Sequence, residues 1–194
     1  MLNDEAFYDA DDQSFEIIKP ELQALFKQFG IDTEIEKTED GDTIDANITA
    51  ITRQGNYIMY TIEIKVREKE KYTFNLFYDA EKNNDGTIFS KGIFIKQNKI
   101  KSLLARAKEN NAKAYYCMRF TDGIIALWHI TELTETGEVK AYYDLYNVHK
   151  GTKQLQTNKT LSILKADVIY DAKNDKIMQN LKDNIVYDDQ SGDN

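Results

Sequence analysis

The sequence predicts an α/β sandwich in which helices cover a mixed, partly antiparallel sheet. Three observations carry that expectation. Residues 15–30 hold an apolar stripe at helical spacing, and residues 43–67 hold two strands joined by a turn signal. Residues 98–120 hold a second amphipathic helix that runs into an apolar strand.

In the first stripe, Leu22, Leu25, Phe26 and Phe29 fall at i, i+3, i+4 and i+7, and Gly30 is a natural stop. Pro20, the only proline, either sits in the first helical turn or kinks a longer helix starting near Ser14. A strand at 32–38 follows, then the turn Glu39-Asp40-Gly41-Asp42. Strands at 43–52 and 57–67 flank the hairpin signal Arg53-Gln54-Gly55-Asn56. In the first of them Ile44, Ala46, Ile48 and Ala50 alternate with Asp45, Asn47 and Thr49, which gives one apolar face. Residues 72–79 read as a strand, 81–87 as a loop and 88–95 as extended chain. The helix at 98–111 carries the stripe Ile100, Leu103, Leu104 and Ala107. Strands at 112–120 and 124–131 form a hairpin over Thr121-Asp122-Gly123. Residues 139–148 and 161–170 read as strands separated by a polar loop, and 174–182 as a short helix. The later strands are expected to extend the same sheet.

A chain of 194 residues, 41% hydrophobic and 30% charged, is long enough for one domain with a sizeable core. No run approaches the roughly 18 apolar residues that span a membrane. The acidic start, MLNDEAFYDADD, has no apolar signal region, and the one cysteine, Cys117, excludes an internal disulfide and a cysteine-based zinc cage. Together these predict a cytoplasmic protein. The net charge of −8 is unevenly spread. Residues 1–16 hold six acids and residues 183–194 four, with no base in either stretch, so that 25 bases face 23 acids between them. The chain therefore divides into an acidic segment at 1–14, a single domain at 15–182 with its core at 15–130, and an acidic tail at 183–194. A near-neutral centre is compatible with a nucleic-acid partner without pointing to one, and the ends read as solvated tails.

The chemistry sits in YIMYTIEIKVR, residues 57–67. An apolar strand rarely carries Glu63 and Lys65 in its middle. Side chains alternate, so these two share one face while Ile62, Ile64 and Val66 fill the other. Asp45, on the preceding strand, is placed to reach the same spot. Two carboxylates and a backbone carbonyl, that of Ile64, suit a hard divalent cation such as Mg2+ or Mn2+, and Lys65 suits an attacking water or the charge that develops at phosphorus. The alternative is a surface ion pair, since E-x-K recurs by chance in a chain this rich in both residues, as Glu68-Lys69-Glu70-Lys71 shows.

Asp45 followed by Glu63-Ile64-Lys65 resembles the PD-(D/E)XK nuclease superfamily, which contains restriction endonucleases, Holliday-junction resolvases and many phage nucleases. The gap of 18 residues spans one hairpin, as in that family. The predicted order also follows its αβββαβ core, and IKQNKIKSLLARAKENNAKAYYCMRF is similar to its basic helix and following strand. The resemblance covers about residues 15–130. Two departures stand out: Ile44 replaces the family's proline, and residues 68–97 are an insertion long enough to hold structure of its own.

The resemblance implies a restriction-endonuclease-like fold with additional C-terminal strands. It also implies a Mg2+- or Mn2+-dependent endonuclease of phage type acting on DNA, with RNA as an open alternative. Asp45, Glu63 and the Ile64 carbonyl would hold metal and Lys65 would be catalytic. By analogy with the fold a homodimer is expected, with no membrane partner. The competing reading is an inactive nuclease-fold module that binds DNA or protein.

Further candidates each have a plainer reading. Glu21, ahead of Glu16, is placed to add an acid near the metal, or lies on a solvated helix face. Gln97 and Lys99 are placed to touch phosphate, or serve the helix N-terminus. Arg67 shares the face of Glu63 and Lys65 and is placed to hold a phosphate, or pairs with a neighbour. Lys96, Lys99, Lys101 and Arg106 lie in the one clearly basic segment, which either tracks a nucleic-acid backbone or faces water. His129 and His149 have no partner at ligand spacing and read as structural, and Cys117 reads as core. Trp128 and the tyrosine pairs at 115–116 and 142–143 read mainly as sheet packing.

Overall fold

Seven strands form the main sheet, in the order β1-β2-β3-β5-β6-β9-β10. They are β1 (Asp32–Lys37), β2 (Ala46–Ile51), β3 (Tyr57–Val66), β5 (Lys113–Arg119), β6 (Ile124–His129), β9 (Val168–Asp171) and β10 (Lys176–Asn180). All neighbours are antiparallel except β3 and β5, which run parallel. A parallel pair needs a crossover. Here it contains α2 (Phe74–Asn83), a 3-10 turn (Phe89–Lys91), β4 (Ile93–Lys96) and α3 (Gln97–Glu109). A second sheet of three strands, β4-β8-β7, uses β7 (Lys140–Val148) and β8 (Thr152–Leu161). The remaining elements are α1 (Asp4–Gln28), α4 (Ile130–Glu135) and a 3-10 turn (Ile163–Lys165). This computed structural model describes residues 4–39, 45–51, 55–67, 72–148 and 152–180, with the backbone alone at 4–13, 141–148 and 152–157. Ile44, His149, the turn residues 40–42 and 53–54, the side chains of Tyr142 and Tyr143, and the tail at 183–194 lie outside the described residues.

The sheet is apolar on both sides, and alternation sorts its residues. One face packs under α1: Phe15, Ile18, Leu22, Leu25 and Phe26 meet Ile35, Ile48, Tyr60, Ile62, Tyr115, Cys117 and Leu127. The other lies under α2, α3 and α4: Phe77, Ile100, Leu103 and Leu133 meet Tyr116, Met118, Ala126 and Trp128. Cys117 is fully buried, and burial pushes its thiol far above the ordinary range. Trp128, also fully buried, donates its indole N–H to the Ser162 carbonyl at 2.7 Å. The His129 ring stacks on Tyr115, and its backbone N–H donates to Asp167 at 2.6 Å. No helix among the described residues is long and apolar enough to cross a membrane.

The αβββαβ order is present as α1, β1, β2, β3, α3 and β5. Pro20 lies inside α1, which begins at Asp4, well before Ser14. Four expectations are corrected. Residues 72–79 hold the start of a helix, because Thr73 caps α2 by accepting from the Leu76 N–H, and Phe74, Phe77 and Ala80 bury one face. The polar stretch before Leu161 is strand β8, paired along its length with β7. These two strands join β4 in a separate sheet rather than extending the first. Finally, residues 176–180 are strand β10, folded back on β9 through a turn in which Asp175 takes positive φ and accepts from the Tyr170 hydroxyl at 2.5 Å. Gly92 marks the entry to β4, where a Cβ would collide with the Leu161 carbonyl.

Candidate metal centre

Asp45 stands where β2 and β3 part. The ladder pairs Ala46 with Ile62 and Asn47 with Thr61. The Thr61 hydroxyl donates to the Asn47 side chain at 3.3 Å, so those two share a face. Alternation puts Glu63 and Lys65 on that face and Asp45 one step beyond the last pair. The Asp45 N–H donates to the Ile62 carbonyl at 3.3 Å, and the Asp45 carbonyl accepts from the Thr38 N–H at 3.1 Å. Past this point the aspartate side chain takes over the ladder. Its Oδ2 accepts the Ile64 N–H at 2.6 Å. A residue's N–H and C=O leave a strand on the same side, so the Ile64 carbonyl points to the edge where Asp45 sits.

Glu63 is 8% exposed, a carboxyl in the floor of the sheet. Burial first, and then the field of Asp45, raise its pKa against the opposing pull of Lys99 and Lys65, and the net result is a value of about 7. The amine that touches it belongs to α3. Lys99 Nζ lies 2.9 Å from one Glu63 oxygen and 3.2 Å from the other. The helix delivers it because Ile100, Leu103 and Ala107 dock on the sheet, which leaves Lys99 at the first turn over the end of β3. Lys65 is exposed and acts on Glu63 through its field.

A buried carboxyl whose ionisation a second carboxylate disfavours, with a carbonyl on the same edge, is a donor set that a hard cation would relieve. The residues fit Mg2+ or Mn2+. Among the described residues no group of three or more His, Cys, Asp or Glu is placed to hold a metal ion. Beside Asp45 a small, partly open recess is lined by Ser14, Phe15, Lys37 and Ile64.

The other candidates fall as follows. Glu21 on α1 faces β5, where both its oxygens accept from Arg119, at 2.7 Å from Nε and 2.8 Å from Nη2. Gln97 opens α3, half-buried, and Lys96 is its N-cap without a side-chain bond to the helix. Lys101 is exposed, and Arg106 lies 3.7 Å from Glu109 on the same helix. Arg67 follows directly on β3, with its guanidinium 4.8 Å from the centre of the Tyr72 ring. Sequence reasoning placed Lys99 near phosphate and missed its bond to Glu63. It also missed Arg119, whose signal was its position as the last residue of a buried strand.

No protein-family model matches this chain, and no curated protein matches it. Among solved structures, Hjc, a Holliday junction resolvase from the archaeal hyperthermophile Archaeoglobus fulgidus, is similar over 75% of this chain and 82% of its own. The identity is 12% and the TM-score 0.37, a coarse likeness.

Proposed function

We propose that this chain is a divalent-metal-dependent nuclease that hydrolyses phosphodiester bonds, with DNA as the first substrate to test. The observation that carries the reading is the meeting of Asp45 with a buried Glu63 at the parting of β2 and β3, beside two lysines. Asp45, Glu63 and the Ile64 carbonyl would hold Mg2+ or Mn2+. Such an ion, when bound, neutralises phosphate charge and makes water nucleophilic near neutral pH. Lys65, exposed on the same face, orients the water or meets the charge that develops. Lys99, released from Glu63, is within reach of a phosphate oxygen, with Gln97 two residues before it at the start of α3. Lys96, Lys101 and Arg106 belong to the same basic segment and would meet the nucleic-acid backbone. A homodimer, with one site per strand, is the assembly expected by analogy.

A second reading has one observation in its favour. Lys99 satisfies both oxygens of Glu63 without a cation, as suits an inactive binding module. Supercoiled and branched DNA, and a structured RNA, incubated with Mg2+ or Mn2+ separate the two. Cleavage by the wild type and its loss in Glu63→Ala and Lys65→Ala support the nuclease. Binding without cleavage under every condition supports the module.

A further inference from the structure

Arg67 is the one arginine near this centre whose charge no described carboxylate answers. Its N–H donates to the Arg119 carbonyl at 2.9 Å, which pins the backbone to β5 at the exit of the parallel pair. Alternation carries the side chain to the face of Glu63 and Lys65. There the guanidinium lies against the Tyr72 ring at 4.8 Å, and its Nε is buried with no hydrogen-bond partner among the described residues. The neighbouring cations differ. Arg119, one rung away, gives Nε and Nη2 to Glu21, and Lys99 closes on Glu63. Tyr116, opposite Glu63 in the ladder, lies in the fields of Arg67, Glu63 and Asp45, so the guanidinium and both carboxylates share one neighbourhood.

A buried N–H without an acceptor asks for an explanation. A planar, permanently charged fork held by stacking is built for an oxyanion with two adjacent oxygens. At the carboxyl ends of parallel strands, beside a candidate phosphodiester site, that oxyanion is a phosphate. We infer that Arg67, braced by Tyr72, is a positioning residue whose Nε–Nη edge receives two non-bridging oxygens of a nucleic-acid backbone phosphate adjoining the one at Asp45 and Glu63. The inference rests on the nucleic-acid reading given above. It adds a contact that sets the register of the strand.

The test is fluorescence anisotropy of labelled single-stranded and duplex DNA with the full chain in EDTA, where no hydrolysis interferes, across a salt series. Arg67→Gln is expected to weaken binding about tenfold and to flatten the salt slope by about one ion. Arg67→Lys should restore the slope but not the affinity, and Tyr72→Leu should show part of the loss while Tyr72→Phe does not. The melting temperature of Arg67→Gln should equal or exceed that of the wild type, because an unanswered buried donor is gone. Unchanged affinity and slope in Arg67→Gln would overturn the inference, as would lowered melting with unchanged DNA binding, the mark of a purely structural stack. No DNA binding by the wild type even at low salt would overturn it too. A wild type that binds through Arg67 and never cleaves would sink the hydrolase reading and leave this one. A cleaving wild type whose Arg67→Gln variant keeps the same KM would do the reverse.

Discussion

Lys99 Nζ bonds both oxygens of Glu63, so the amine in contact with the buried carboxylate comes from the first turn of α3 and not from Lys65 on the same strand. A divalent cation and this ammonium want the same oxygens. On the proposed reading, Lys99 occupies the carboxylate oxygens that a cation would take, and it would have to move for one to bind. Lys99→Ala is expected to bind Mn2+ about tenfold more tightly than the wild type, a gain of roughly 1.4 kcal/mol, while its cleavage of DNA falls. Calorimetric titration checks the first and a plasmid assay the second. Weaker Mn2+ binding by the variant would show that Lys99 helps to build the site.

The raised pKa of Glu63 gives stability a definite pH dependence. Its folded value of about 7 lies above the ordinary value of 4.5, so the folded state holds more protons in between. The favourable contribution is complete below about 4.5, falls as pH rises through about 7, and is then flat. The span corresponds to about 3 kcal/mol as an order of magnitude. Glu63→Gln should abolish this slope and be the more stable protein at pH 8 in EDTA, by up to about 3 kcal/mol. Urea midpoints at pH 5 and pH 8 measure it. Mn2+ should stabilise the wild type at pH 8 and leave the variant unchanged.

The Glu21–Arg119 pair is bidentate and four-fifths shielded on each side, with side-chain exposures of 20% and 19%. Removing one partner strands the other. Glu21→Ala is expected to cost about 1–3 kcal/mol in chemical denaturation and to leave cleavage within a few-fold. A hundredfold loss of cleavage at unchanged stability would instead put Glu21 at the cation.

The parts of the fold legible in the sequence were those with a clean period. In α1 the stripe of Leu22, Leu25 and Phe26 is buried, and Gly30 closes the helix in the left-handed region. β2 and β3 pair antiparallel, as the hairpin signal between them implied, and their register sets Asp45 one step beyond the Ala46–Ile62 pair, level with Glu63. The misread stretches mixed their signals. YTFNLFYD is rich in strand-forming aromatics, yet the cap at Thr73 and contacts of Phe77 with Phe89 and Phe120 make it helical. TKQLQTNKT has no apolar alternation to announce β8, whose pairing with β7 comes from the ladder itself. The same limit applies to the site. Spacing along β3 favoured Lys65, while the position of Lys99 depends on how the inserted α2 and β4 return the chain to the sheet.

The central claim is that Asp45 and Glu63 hold one cation between them, and counting bound Mn2+ by electron paramagnetic resonance tests it most directly. At pH 7.5 the wild type should bind one high-affinity Mn2+ per chain, and Asp45→Asn and Glu63→Gln should each lose it while remaining folded. Undiminished binding in both variants, or none in the wild type at millimolar Mn2+, would contradict the account.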